Sequence, residues 1–467
     1  MKIIFISLDT LRADRLGCYG YTKPTSPYLD AIAAQGVLME RAFAADIPTE
    51  VAHTDIFTGK VGLTTGIVVH GADFGYLPKP VAWMPRLLRD AGFSTAAVDN
   101  LYQLREWFAR GYRYYINSVG QQRSIDGRTV TDLAKAWIQE HQHEDFFLFL
   151  HYWDPHTPYL PPASYVPDFY DASRDPYDPA NQSMRGAYEH RAYPFFKYFH
   201  YDLLGPVTDT AYVNALYDAE IRYLDDLLQE LDQYLQRLGI WEDTLLVLFG
   251  DHGESLTEHE IYWDHCGLYD TTVRVPVIMR WPGHIPAGQR VPGLVQQVDL
   301  LPTILEAVGL EPPSDLDGKS LWPAIRGEAQ GTHSTIFLSE CAWQASRGVR
   351  TDRYKLIRTV DSGPFVRPKR ELYDLLQDPA ETKNLAEDAP ELADEMERAL
   401  DDWVEATLAG RVDPMAELLR TQGLPFSRRI EAILSKVGLT WAEWVKNPDT
   451  AKFNELMQQQ SGAQNVR

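Results

Sequence analysis

Cysteine is scarce. The three residues Cys18, Cys266 and Cys341 in a chain of 467 are too few and too scattered for a disulfide framework or a thiolate metal cage. Basic charge is also short, with 44 Lys and Arg against 66 Asp and Glu, a formal charge of -22 and a pI near 5.0. Such a surface repels phosphate backbones and anionic lipid heads, which disfavours nucleic-acid and membrane partners. No apolar run approaches the roughly 20 residues that a spanning helix needs. The opening MKIIFISLDT ends its apolar stretch in an acid, too soon for a signal-peptide core, and carries no small-residue cleavage site. A cytoplasmic protein is expected. No glycine-rich phosphate loop follows any apolar run, which removes nucleotide-binding and dehydrogenase readings.

What is present is a packed composition, 45% hydrophobic and 12% aromatic. Ile3 to Ile6, Phe146 to Leu150 and Leu245 to Phe249 are continuous apolar runs, the pattern of parallel strands covered on both faces. Helical spacing separates them at Tyr28 to Gly36, Met84 to Ala91 and Ala211 to Leu238, the last two closed by Gly92 and Gly239. This alternation predicts an α/β fold with a doubly wound, mostly parallel sheet flanked by helices over 1–333. Within it, 155–210 is rich in Pro, Tyr and Asp and reads as a long ordered loop or insertion. A smaller α+β subdomain is expected over 334–409, from strand-like pieces at Thr335 to Leu338 and Tyr354 to Ile357 and an amphipathic helix at Pro390 to Leu408. The rest, 410–467, reads as a helical extension, an arm toward a partner subunit in a homo-oligomer.

The three runs end in Asp9, in HYWDPH (His151 to His156) and in GDHGE (Gly250 to Glu254). Ligands of open parallel sheets bind beyond the carboxyl ends of the strands, so acids and imidazoles gather on one rim. Asp9, Asp251 and His252 form an oxygen, oxygen, nitrogen set suited to a divalent ion. Strand-terminal acids also cap helices and turns, which is the plainer reading of any one of them.

LDTLRADRLGCYGY (Leu8 to Tyr21), LYDAEIRYLDDLL, LLVLFGDHGE and LYDTTVRVPVIMRWPG (Leu268 to Gly283) resemble the blocks of the sulfatase family in the alkaline phosphatase superfamily. VQQVDLLPTIL, GVRTDRYKLIR and ELYDLLQDPAETKNLA are similar to its later blocks, so the resemblance spans about residues 1–405 in order. It implies the alkaline phosphatase-like fold and a metal-dependent ester hydrolase acting on a small anionic ester. One block departs. Formylglycine sulfatases carry Cys-x-Pro-Ser-Arg, where this chain has Thr49-Glu50-Val51-Ala52-His53. The alignment places Thr49 at the nucleophile, as in threonine-type relatives that cleave phosphate esters, with Thr49 also touching the ion. Alternatively Thr49 is an ordinary helix cap after Pro48.

The resemblance further implies that His156 contacts the substrate's anionic oxygens, unless Pro155 and Pro158 merely fix it as a loop histidine. His265 falls where relatives protonate the leaving oxygen, His53 replaces the arginine near the nucleophile, and Asn100 donates to the transferring oxyanion. Thr10 stands where many sulfatases have a second Asp, and His252 replaces a neutral amide. Both changes tilt the metal from calcium or magnesium toward manganese or zinc. A formylglycine hydrate eliminates sulfate, whereas a threonine ester must be hydrolysed. Phosphate or phosphonate esters therefore lead, with sulfuric ester hydrolysis and an inactive anion-binding homologue as alternatives. The 155–210 insertion and the C-terminal tail are expected to shape the pocket for the organic part of the substrate. The Tyr-rich stretch 191–212 and His259 are read as packing.

Overall fold

The computed structural model describes residues 1–117 and 126–464. Its centre is a nine-stranded sheet in which Thr244–Gly250, Lys2–Leu8, Phe146–Tyr152, Ser94–Val98 and Tyr114–Ile116 run parallel in that order. Val277–Arg280 joins the far side of Thr244–Gly250 antiparallel and links it to Val37–Phe43. The unbroken apolar runs are explained by their two faces. Ile4, Leu148 and Leu246 enter one core, while Phe5, Phe147 and Val247 enter the other. Helices Pro27–Gln35, Gly127–His141 and Thr210–Arg237 cover the first face. Thr49–Thr58, Met84–Asp90 and Leu300–Ala307 cover the second. The expected α/β class and the order of its elements are both present. Among the described residues no helix is long and apolar enough to cross a membrane.

A second sheet orders Arg370–Asp374, Tyr354–Asp361, Ala345–Arg350, Ile336–Cys341 and the two-residue strand Asp46–Ile47. That last strand comes from the N-terminal part of the chain and immediately precedes Pro48 and Thr49. The C-terminal sheet thus braces the lead-in to the helix that opens at Thr49, through the pairs Ser339 with Asp46 and Glu340 with Ile47. A buried ion cluster adds a second tie. Lys355 Nζ lies 2.6 Å from both Asp270 Oδ1 and Glu381 Oε1, and donates to the Leu268 carbonyl at 3.0 Å. Burial opposes ionisation of Asp270, yet Lys355 and Arg350 hold its carboxyl well below the usual range. Lys355→Met is therefore expected to cost about 3–5 kcal/mol in urea unfolding, because it strands buried carboxylates. An unchanged midpoint would show that Arg350 compensates alone.

Two regions depart from the sequence reading. The 155–210 insertion is not all loop: it contains short helices at Arg185–Tyr188, Tyr193–Phe196 and Asp202–Leu204, joined through Lys197–Tyr201. The extension beyond 410 is helical, but its apolar side is covered by its own chain. Phe426, Ile430, Leu434, Trp444 and Phe453 join the main core. Trp444 Nε1 donates to the Arg191 carbonyl at 2.7 Å, and Asn454 donates to the Tyr193 hydroxyl at 2.9 Å. The insertion's aromatic helices offer an apolar face, and the amphipathic tail buries it.

Candidate active site

The parallel register brings the site together. Leu8 pairs with both Tyr152 and Gly250, so the residues that follow, Asp9 and Asp251, emerge at one level of the rim. Both are fully buried. Thr10 takes a left-handed φ of 55°, a strained conformation for a β-branched residue, and its amide donates to Asp251 Oδ1 at 3.1 Å. Tyr217 holds this turn: its hydroxyl donates to the Thr10 carbonyl at 2.8 Å and accepts from the Arg12 amide at 3.0 Å. Tyr217 lies on Thr210–Arg237, so the long helix positions the loop that follows Asp9 as well as covering the sheet.

The donor atoms fit a cation. Asp9 Oδ1 and Asp251 Oδ2 are buried without a hydrogen-bond partner, an unfavourable state for carboxylate oxygens unless a positive charge faces them. His252 Nδ1 donates to the Gly253 carbonyl at 3.0 Å, which leaves the lone pair on Nε2 pointing inward. That nitrogen lies 3.3 Å from Asp251 Oδ2 and 3.9 Å from Asp9 Oδ1. One ligand atom from each of Asp9, Asp251 and His252 falls within 4.8 Å of the others. Burial and then the charge of Asp251 push Asp9 up to about 6. Burial keeps His252 neutral, below its ordinary value, despite the Asp251 charge.

Thr49 Oγ1 lies 3.0 Å from His252 Nε2. Thr49 is the first residue of the buried helix Thr49–Thr58, and Pro48 occupies the preceding cap position. Its hydroxyl therefore turns toward His252 instead of capping backbone amides. The helix N-terminus directs its partial positive charge at this hydroxyl, which favours a developing alkoxide or anion there. His53 sits one turn further along. Its Nδ1 donates to the Thr49 carbonyl at 2.8 Å and its Nε2 accepts from Ser7 Oγ at 2.8 Å. Burial and then the neighbouring His151 push it down to about 4. A neutral His53 anchors the Thr49 turn 3.6 Å from Asp251 Oδ2 but brings no charge, unlike the arginine it was expected to replace.

The charge comes from His151, a residue that sequence reasoning placed on the rim without a role. Its Nε2 donates to Asp9 Oδ2 at 3.0 Å and its Nδ1 to Asp99 Oδ1 at 2.9 Å. Burial works against the imidazolium, but these two hydrogen bonds overcome it and hold the group up to about 9. A lone imidazole inside an apolar strand was the available signal, because a buried histidine must find partners.

Above this floor opens a cavity of about 450 Å³ lined by Thr49, Asn100, His156 and His265 among others. The structure thus brings all four expected pocket residues to one space. His156 Nδ1 donates to the Thr157 carbonyl at 2.6 Å, and burial, with His265 nearby, pushes the ring down to about 3. Its free nitrogen can accept a hydrogen bond; donating to an anionic oxygen requires a proton gained on ligand binding. His265 Nδ1 lies 3.5 Å from Glu254 Oε2 and 3.6 Å from Asp264 Oδ1, and the ring centre is 4.6 Å from that of His252. His70, Glu50 and Arg105 also line the cavity and were not anticipated. Arg105 Nε donates to Glu50 Oε1 at 2.6 Å.

A sulfatase family model matches residues 2–310, and a model described as the C-terminal region of N-sulphoglucosamine sulphohydrolase matches 257–406. The chain belongs to the sulfatase family. It is 23% identical to an N-acetylglucosamine-6-O-sulfatase of Bacteroides thetaiotaomicron, over 82% of each chain. It is 26% identical to an ulvan-active sulfatase of Formosa agariphila, covering 87% of this chain and 80% of that one. Among solved structures, phosphonate monoester hydrolase of Agrobacterium radiobacter superposes with a TM-score of 0.72 at 22% identity, covering 89% of this chain and 97% of that one. Membership in this family of metal-dependent ester hydrolases agrees with the Asp9, Asp251 and His252 cluster. The protein is an ester hydrolase with a mixed α/β, alkaline phosphatase-like fold.

Proposed function

We propose that this sulfatase-family protein cleaves phosphate or phosphonate esters through Thr49, with manganese or zinc held by Asp9, Asp251, His252 and the Thr49 hydroxyl. The observation that supports it most is the Thr49 hydroxyl, 3.0 Å from His252 Nε2 beside two unpartnered carboxylate oxygens at the base of the cavity. When bound, a divalent ion there makes the hydroxyl easier to deprotonate and draws charge from the ester oxygens. Thr49 Oγ1 attacks phosphorus in line with the leaving alcohol, and a phosphothreonine forms as the P–O bond to the alcohol breaks. His265 gives the departing oxygen its proton and then takes one from the attacking water. Asn100 and His156 hold the non-bridging oxygens, and His53 keeps the Thr49 backbone in place.

A threonine-bound phosphoryl group is open to hydrolysis by water, whereas a threonine sulfate has no neighbouring hydroxyl through which to eliminate. Sulfate esters form the second reading, favoured by the sulfatases among its relatives. Nitrophenyl esters of methylphosphonate, phosphate and sulfate, assayed with manganese and with zinc, separate the two. The phosphorus esters should turn over at least about tenfold faster, a gap of about 1.4 kcal/mol in barrier. A faster sulfate ester would reverse the assignment.

The His265 role makes its own prediction. His265→Ala should slow esters of poorly acidic alcohols by about 10²–10⁴-fold while affecting nitrophenyl esters much less. Equal losses on both would remove His265 as the acid.

A further inference from the structure

Beyond the reacting groups, the cavity changes character. Phe195 and Phe199 come from the insertion, Trp343 from the loop after Ile336–Cys341, and Phe426 from the tail helix Pro425–Lys436. Their rings touch in sequence. Trp343 stacks on Phe426 at 4.5 Å between centres, Phe195 meets both edge-on at 5.0 and 5.4 Å, and Phe199 lies 5.6 Å from Phe195. Phe199 in turn stands edge-on to His156 at 6.4 Å, which makes the aromatic wall continuous with the residues around Thr49.

The charged groups at this end are engaged within the protein. Arg105 is bound to Glu50, and Arg429 lies over the Phe426 ring at 4.6 Å while donating to the Gly71 carbonyl at 3.1 Å. A sugar entering here could lay only its C–H face on these rings, and any hydroxyl turned toward them would be desolvated. A planar aromatic group would find the offset and edge-on partners it prefers.

We infer that the insertion and the tail helix together form a subsite for the alcohol part of the substrate, and that it selects esters whose alcohol carries an aromatic ring. This rests on the reading of Thr49 as the reacting group and specifies its substrate class. The tail is then part of the substrate site of its own chain.

The test uses binding, so that ring recognition is separated from leaving-group reactivity. Full-length Thr49→Ala protein loaded with manganese is titrated calorimetrically with phenethyl, ethyl and glucosyl methylphosphonate. The two simple alcohols differ little in acidity, and only one carries a ring. The phenethyl ester is expected to bind at least about tenfold more tightly than either of the others. Phe199→Ala and Phe426→Ala, each added to that protein, should bring the phenethyl-to-ethyl ratio toward one. Because Phe426 also anchors the tail, Phe199, which is half-buried, serves as the variant that leaves the core intact. Equal binding of the phenethyl and ethyl esters, tighter binding of the glucosyl ester, or a ratio unmoved by both variants would overturn the inference. If the ring preference holds while the parent protein turns over no ester, the proposed chemistry fails and the subsite stands.

Discussion

Thr49→Ala should lower kcat on every phosphorus ester by about 10⁴–10⁶-fold, the loss expected when the attacking atom itself is removed. Melting temperature should change little. The residue is buried, but alanine introduces no clash, and the hydroxyl's one hydrogen bond is worth about 1 kcal/mol. Metal content should also persist, since Asp9, Asp251 and His252 remain. Thr49→Ser keeps the hydroxyl and should retain measurable turnover. Rapid-quench labelling with a phosphorus-radiolabelled ester adds an independent readout: acid-stable phosphate should appear on the parent protein and be absent from the alanine variant. A variant as active as the parent would end the assignment and point to a water nucleophile.

The sequence made some of this legible and hid the rest for physical reasons. Asp9, Asp251 and His252 could be found because Asp9 directly follows one strand and the Asp251-His252 pair follows another, and parallel strands carry such residues to a common rim. Thr49 was visible only through family resemblance; its own neighbourhood reads as a plain helix start. His151 could be placed at the rim but not given a role, because it is the sixth residue of the seven-residue strand Phe146–Tyr152 and what it touches is not set by its own strand. Its partners Asp9 and Asp99 directly follow two other strands, and that pairing depends on sheet order. Tyr217 was unreadable for a related reason, since its hydroxyl meets a loop more than 200 residues away. The aromatic stretch 191–212 was read as packing, which describes Tyr201 fully; Phe195, Phe196 and Phe199 pack on the core and also line the cavity. Only the fold shows which rings end at a cavity. The tail posed the same problem. Amphipathic helices announce that they need something to pack on, and part of what this tail packs on is the insertion, more than 200 residues earlier in the chain.

Asp251→Asn should separate metal binding from folding more cleanly than any other change at the site. Asp251 Oδ1 accepts from the Thr10 and His252 amides, at 3.1 and 2.8 Å, and an asparagine carbonyl can keep both bonds. Only the second oxygen loses its charge, and that is the atom left without a partner beside His252. In the metal-free protein the substitution also relieves Asp9, whose carboxyl is pushed up partly by the Asp251 charge. The variant stripped of metal should therefore unfold at the same temperature as the stripped parent, or slightly above it. With metal added the order should reverse. Saturating manganese or zinc at about 100 times its dissociation constant should stabilise the parent by about 2.7 kcal/mol, while the variant gains little because its affinity has dropped by about 10²-fold or more. Elemental analysis, thermal melts with and without chelator, and turnover should then move together: metal lost, ligand-induced stabilisation lost, activity lost, fold kept. If the variant binds metal as the parent does, Asp251 is not a ligand and the cation, if any, sits elsewhere. If the stripped variant melts far below the stripped parent, the carboxylate's role is to hold the Thr10 turn, and the strained φ of that residue would then depend on full charge at Asp251.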